Sequence, residues 1–245
     1  MTATLWNLEP PPGFQGLDPE KPIMVYRRHL PHWRQDGATY FVTFRLADAL
    51  PQSKLRELKA LKREWQHRLN HTNWQSLVRT TDWQSILRSP WAMCSRLVME
   101  RVEEWLDQGM GACWLRQPEF AQMVAEALHH FDGVQYELGC YVIMPNHVHL
   151  VLRPLTPAQY PLEKILQSRK RKTSHDIQLL LGKTGTFWLE ESFDRIVRDV
   201  EHLYRCLQYI GANPRKAGLD AKACPRWIRP EWQRLGWTFE DSWAV

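Results

Sequence analysis

Apolar and β-branched residues cluster in short stretches that predict strands, separated by longer stretches with helical periodicity. Strands are predicted at 38–46, 136–144 and 147–153, with a further short one within 186–196. Apolar residues three and four apart predict helices at 52–70, 118–131, 162–181 and 199–212. This order is a β-α-β-β-α-β arrangement followed by one more helix. The sequence therefore predicts an α+β fold, with a ferredoxin-like antiparallel sheet and an extra C-terminal helix.

Three changes in composition divide the chain. Residues 1–24 are rich in proline and are predicted to form an N-terminal arm. Residues 25–219 carry the predicted core, interrupted at about 50–115 by a tryptophan-rich stretch that we interpret as a helical insertion. Residues 220–245 form a predicted tryptophan-rich C-terminal tail.

Charge and cysteine content indicate the kind of partner, the redox state of the thiols and the cellular location. The net charge is +5 and the pI about 9.0, which weakly favours an anionic partner. The five cysteines are scattered without a C-x-x-C pair, so we expect reduced thiols rather than disulfides or a zinc cluster. Neither a signal pattern nor an apolar run of roughly 20 residues is visible, so we expect a cytoplasmic protein without a membrane partner.

The stretch Tyr141-Val-Ile-Met-Pro-Asn-His-Val-His-Leu-Val-Leu152 carries two histidines two residues apart. Side chains alternate along a strand, so His147 and His149 project from one face, whereas Val148 and Leu150 project from the other. Such a pair places two neutral nitrogen ligands on a rigid element, as a divalent metal requires. On its own, the pair is equally well explained as surface or structural histidines.

The last predicted helix contributes a second candidate group. Asp199 caps it, and Leu203, Tyr204 and Leu207 form its buried stripe. Tyr209 lies about 200° around the helix from Leu207, off that stripe. Asn213 follows one turn later, and its amide oxygen suits Mg²⁺ or Mn²⁺. It also precedes Pro214, which predicts the end of the helix.

Basic residues recur in three places and are candidates for phosphate binding. We expect Arg205, or the field of a metal, to favour the phenolate of Tyr209. The candidate DNA-binding residues are Arg27, Arg28, Lys164, Arg169, Lys170, Arg171, Lys172, Arg195, Arg198 and Arg205.

At this point the sequence resembles a known family. The histidine pair after Met144-Pro-Asn resembles the HUH motif of single-tyrosine transposases. Tyr209-Ile-Gly-Ala-Asn-Pro-Arg-Lys-Ala-Gly-Leu219 resembles the tyrosine motif of their REP-associated branch, the RAYT proteins. The segments 27–33, 39–45 and 192–199 are also similar to that branch.

The resemblance implies a role for each matched residue. His147, His149 and Asn213 would bind Mg²⁺ or Mn²⁺, although related insertion-sequence transposases commonly have Gln at the position of Asn213. Tyr209 would be the nucleophile that cleaves single-stranded DNA near a REP-type palindromic hairpin, leaving a 5′-phosphotyrosine and a free 3′-OH. The implied setting is a bacterial, nucleoid-associated enzyme, a monomer or a homodimer.

Two other functions remain open from the residues. A hairpin DNA- or RNA-binding protein without catalysis would bind its ligand in EDTA and cleave nothing. A metallohydrolase using only the histidine pair would not need Tyr209. The sequence contains neither an H-E-x-x-H motif nor a clear carboxylate cluster beside the pair, which ranks this second alternative last.

Overall fold

The computed structural model describes residues 8–27, 31–69, 88 and 90–240. Within these ranges the strands are β1 (Met24–Arg27), β2 (Pro31–Arg34), β3 (Tyr40–Arg45), β4 (Tyr136–Ile143), β5 (His147–Pro154), β6 (Phe193–Ile196) and β7 (Arg226–Ile228). The helices are α1 (Gln52–Leu69), α2 (Pro90–Asp107), α3 (Pro118–His129), α4 (Leu162–Leu181), α5 (Val200–Lys216) and α6 (Pro230–Arg234). None of the helices in these ranges combines the length and apolar content needed to cross a bilayer.

The sheet confirms the predicted α+β architecture. Five antiparallel strands lie in the order β6-β3-β5-β4-β7, so the first and third strands of the core are central. Strands β1 and β2 form a separate hairpin. The strand carrying the two histidines is therefore the middle strand of the sheet, which gives its side chains a rigid base.

Different helices pack against the two faces of the sheet. Val148 and Leu150 belong to a core cluster that also contains Val124 of α3 and Ile165 of α4. The opposite face, with Phe41, packs against α5. Helix α2 contributes to both clusters and so closes one end of the molecule. The histidines thus lie on the face of the sheet that packs against α5, and Val148 and Leu150 lie on the opposite face, as strand alternation predicts.

The described segments that precede β1 and follow α5 contact the core of the protein. Strand β7 extends the sheet beyond β4, and Trp237 is fully buried. The indole of Trp237 donates to the backbone carbonyl of Glu9 (3.0 Å), and the amide of Leu17 donates to the carbonyl of Arg198 (3.0 Å). Residues of segments 8–23 and 226–240 therefore contact the core, and the boundaries at 24 and 220 stay predictions.

The predicted insertion contains two long helices, α1 and α2, in its described part. Residues 70–87 and 89 of that insertion lie outside the described residues, as do 1–7, 28–30 and 241–245. All five cysteines are free and buried.

Candidate active site

The two histidines meet at the centre of the sheet face that packs against α5. His147 and His149 are 1% and 0% exposed, and their Nε2 atoms are 3.0 Å apart. Two ligands bound at right angles, each about 2.1 Å from one ion, are separated by about 3.0 Å. The spacing of the pair therefore suits a single metal ion.

Each imidazole is oriented through its other nitrogen. His147 Nδ1 donates to Oδ1 of Asn146 (2.7 Å), whose own amide donates to the carbonyls of Leu106 and Met110. His149 Nδ1 is hydrogen-bonded to the hydroxyl of Thr43 (2.8 Å), its partner across the sheet. Partners of this kind fix the ring and direct Nε2 towards a metal.

Both rings are neutral. Burial lowers the pKa of His147 to about 3 and that of His149 well below its ordinary value. Since His147 is protonated on Nδ1, its Nε2 carries a lone pair and accepts a hydrogen bond from Nε2 of His149. The hydroxyl of Thr43 then donates to Nδ1 of His149, and it can accept instead when Nε2 of His149 binds a metal.

Helix α5 lies against this pair. Asp199 caps it by accepting from the amide of His202 (2.6 Å), as the sequence predicts. The helix does not stop near 212 but continues through Pro214 to Lys216. The turn after the proline is closed by bonds from Ala217 and Leu219 to the carbonyls of Asn213 and Pro214, so that only the bond that proline cannot donate is lost.

Tyr209 and Asn213 point from α5 to the histidines. The ring of Tyr209 packs edge-on against His149, with centroids 5.2 Å apart, and against Phe41 at 5.9 Å. Its hydroxyl is buried and has no hydrogen-bond partner. Asn213 is 0% exposed and lies near His147, yet neither polar atom of its amide makes a hydrogen bond of normal geometry.

The unpaired amide atoms of Asn213 indicate whether the site beside the histidines suits a metal ion. A buried polar atom without a partner is unfavourable by about 1–3 kcal/mol, so an unpaired amide beside the Nε2 atoms of two imidazoles suits a site that takes a ligand. The described residues contain no cluster of three or more His, Cys, Asp or Glu that could hold a metal. The donor set that fits is therefore two histidines and the amide oxygen of Asn213.

Two carboxylates from α2 approach Tyr209, and sequence reasoning missed both. The carboxyl of Glu103 lies against the Tyr209 hydroxyl, and Asp107 follows one turn later on the same side of α2. Glu103 Oε1 and Asp107 Oδ1 are buried without a hydrogen-bond partner. Burial raises the pKa of Glu103 to about 7 and that of Asp107 to about 6.

The same surroundings keep the phenol protonated. Burial, followed by the charges of Glu103 and Asp107, raises the pKa of Tyr209 well above 10. Arg205, expected to favour the phenolate, is exposed and pairs with Glu201 (3.0 Å). The cation over the Tyr209 ring is instead Lys216, with Nζ 4.7 Å from its centroid. Lys216 lies seven residues after Tyr209, a spacing that could have revealed it.

The predicted basic residues do not form one surface. Arg195 lies on the site's face of the sheet, over Phe41 at 4.7 Å. Arg198 is half-buried and contacts His202. Lys164, Arg171 and Lys172 are exposed on α4, which packs on the other face. The Arg27 side chain and all of Arg28 lie outside what the structure describes.

Arg169 and Lys170, by contrast, are both buried. Arg169 donates to the carbonyl of Ala127 and lies over Phe131. Lys170 donates to two backbone carbonyls, of residues 189 and 190, and to Ser192. Their charged groups hydrogen-bond within the fold and stabilise the packing of α4, and a role for either residue in DNA binding stays a prediction.

Comparisons with known proteins add a weak likeness. No family model matches the chain, and no curated protein matches it. A similar solved structure is that of a REP-associated tyrosine transposase bound to a REP hairpin, with 14% identity and a TM-score of 0.43. The match covers 80% of this chain and 74% of that one. At this level the functional interpretation depends on the chain's own residues.

Proposed function

We propose that this protein is a transposase-like enzyme that cleaves and rejoins single-stranded DNA beside a REP-type palindromic hairpin. It would depend on Mg²⁺ or Mn²⁺ and form a 5′-phosphotyrosine at Tyr209. One observation supports this most directly: the unpaired hydroxyl of Tyr209 and the unpaired amide of Asn213 meet the histidine pair in one buried place. The sequence motifs around these residues suggest the class of substrate.

In this mechanism His147, His149 and Asn213 would hold a divalent metal ion. When bound, the ion polarises the phosphodiester and orients the scissile bond. Asn146 and Thr43 keep the imidazoles in position. Tyr209 Oη forms a bond to phosphorus while the bond from phosphorus to the 3′-oxygen breaks. The phenolic proton leaves the tyrosine, and the 3′-oxygen takes a proton from water.

The reaction is reversible without a nucleotide triphosphate. An aryl phosphodiester is about as activated as the bond that was broken, so a DNA 3′-OH can attack it and release Tyr209. This agrees with the sequence, which contains no G-x-x-x-x-G-K-[ST] phosphate loop.

Covalent trapping on DNA tests the proposal. Wild-type protein incubated with a palindrome-flanked single strand and Mn²⁺ should form an adduct that survives denaturing electrophoresis. Tyr209→Phe should form none while binding the hairpin with near wild-type affinity. Tyr204→Phe is the matched control: Tyr204 is on the same helix but is hydrogen-bonded to Glu240, away from the histidines, so this variant should still form the adduct.

The outcomes separate the three candidate functions. The absence of an adduct with wild-type protein, together with tight hairpin binding in EDTA, would replace the proposal with a binding protein. Cleavage that survives Tyr209→Phe would indicate a metallohydrolase that uses the histidine pair alone.

A further inference from the structure

Among the described residues, two carboxylates on α2, those of Glu103 and Asp107, lie beside the site and have no role in the mechanism above. Neither belongs to the histidine–asparagine set, and neither is paired with a cation through its buried oxygen. Helix α2 comes from the predicted insertion, whose role the sequence does not indicate. The buried, unpartnered oxygens of Glu103 and Asp107 thus lie on one side of the Tyr209 hydroxyl, which is also buried without a partner.

We propose that Glu103 is a catalytic residue, the general base that accepts the phenolic proton of Tyr209 and returns it on rejoining. This inference rests on the proposed function. A phenol, whose ordinary pKa is about 10, is a poor nucleophile towards phosphorus until an acceptor takes its proton. Of the two carboxylates, Glu103 is the one placed to accept a hydrogen bond from the hydroxyl, although both atoms lack a partner of good geometry in this conformation, whereas Asp107 lies one turn further along α2.

The proton and electron balance is simple. The carboxylate of Glu103 takes the proton from Tyr209 Oη as the Oη–phosphorus bond forms, and Glu103 becomes a neutral acid. The bond from phosphorus to the 3′-oxygen breaks at the same time, and that oxygen takes a proton from water. When a DNA 3′-OH later attacks phosphorus, it gives its proton to the solvent, and the departing phenolate takes back the proton held by Glu103. No oxidant, reductant or additional reactant is needed.

Several charged and titratable groups face Glu103. Burial raises its pKa most and Asp107 raises it further, whereas Arg195 of β6, the neighbouring Tyr209 hydroxyl and Lys216 of α5 lower it, with a net value of about 7. Cys206 of α5 is also within electrostatic reach. General bases work best when their pKa is near the working pH, and such catalysis typically contributes a factor of 10² to 10⁴. The value for Glu103 falls at that optimum.

The test measures the rate of adduct formation from pH 5.5 to 9 with hairpin DNA and Mn²⁺. The wild-type rate should fall as the pH drops below about 7, where Glu103 becomes protonated. Glu103→Gln should form the adduct about 10² to 10⁴ times more slowly and lose that pH dependence. Acetate should partly rescue Glu103→Ala. Hairpin affinity, measured in parallel, reports whether each variant is folded.

Two variants distinguish a base from a repelling charge. Glu104→Gln removes a neighbouring carboxylate that is exposed and paired with Arg101, so it should react like wild type. If the carboxylate of Glu103 only repelled the phenolate, its removal would change the rate in the opposite direction, and Glu103→Gln would form the adduct faster than wild type. A Glu103→Gln rate equal to or above wild type overturns the role of Glu103 and leaves the proposed function intact. No wild-type adduct would overturn both.

Discussion

Replacing Asn213 by leucine tests the metal site through protein stability, without any DNA. The amide is 0% exposed, and neither its oxygen nor its nitrogen has a hydrogen-bond partner. Leucine has a similar size and removes both orphaned atoms. In EDTA, Asn213→Leu should therefore be more stable than wild type by about 1–3 kcal/mol, roughly 2–12 °C in Tm. A stabilising substitution of a buried polar residue is the mark of a site built for a ligand.

Gln208→Met provides the matched control on the same helix. Gln208 is 1% exposed, but its amide is satisfied: Nε2 donates to the carbonyl of Thr238 (2.8 Å) and Oε1 accepts from the amide of Glu240 (2.8 Å). Its loss leaves both backbone groups unpaired, so this variant should be destabilised by about 1 kcal/mol or more. The two substitutions of buried amides are thus expected to change the free energy of unfolding in opposite directions.

Urea unfolding in EDTA and in Mn²⁺ measures both effects. A ligand at 100 times its Kd stabilises the wild type by about 2.7 kcal/mol, and Asn213→Leu should lose most of that gain because one ligand is absent. The reasoning is refuted if Asn213→Leu is less stable than wild type in EDTA and Mn²⁺ does not stabilise the wild type.

Three further predictions concern the fold and the charged surface. Burial would lower the pKa of His32, but hydrogen bonds to two carboxylates raise it to about 9, above the unfolded value of 6.5. The stability it contributes should be fully present below pH 6.5 and be lost as the pH rises through about 9, so the deficit of His32→Gln in urea unfolding should shrink by pH 10; a constant deficit would contradict this. Gly139→Ala should cost about 1–3 kcal/mol in the same assay, because its Cβ would lie 2.2 Å from the ring of Trp232; an unchanged midpoint would show that the ring can move. Lys216→Gln should lower the slope of log affinity for single-stranded DNA against log salt by about 0.7, whereas Lys172→Gln, on the other face of the sheet, should not; equal effects would place the DNA elsewhere.

Local patterns were sufficient for the elements that carry the histidines and the tyrosine. Alternation placed His147 and His149 on one face of a strand, and the cap at Asp199 marked the start of α5. The spacing of Tyr209 and Asn213 followed from helix geometry alone. Each of these inferences depends on residues close together in the sequence, where backbone periodicity decides the direction of a side chain.

Inferences that depended on long-range packing were less successful. Glu103 is an ordinary acidic residue in a polar helix until that helix is packed on α5, more than ninety residues away in the chain. The basic run on α4 reads as one charged surface, yet Arg169 and Lys170 face inward because the helix packs on the sheet along that side. Strand β7 was missed because three residues are too few to show alternation.

Under the proposed function, the burial of the site limits when the protein can cleave DNA. With His147, His149 and Asn213 at most 1% exposed, and the Tyr209 hydroxyl covered as well, no phosphodiester reaches the nucleophile in this conformation. An opening step has to precede cleavage. If the open form is populated at about 1%, a random single strand meets an active protein only one time in about a hundred, and a DNA hairpin that binds the open form shifts that population in its own favour. Selectivity then comes from the cost of exposing the tyrosine as well as from contacts with the bases, and the resting protein is safe to keep beside single-stranded DNA.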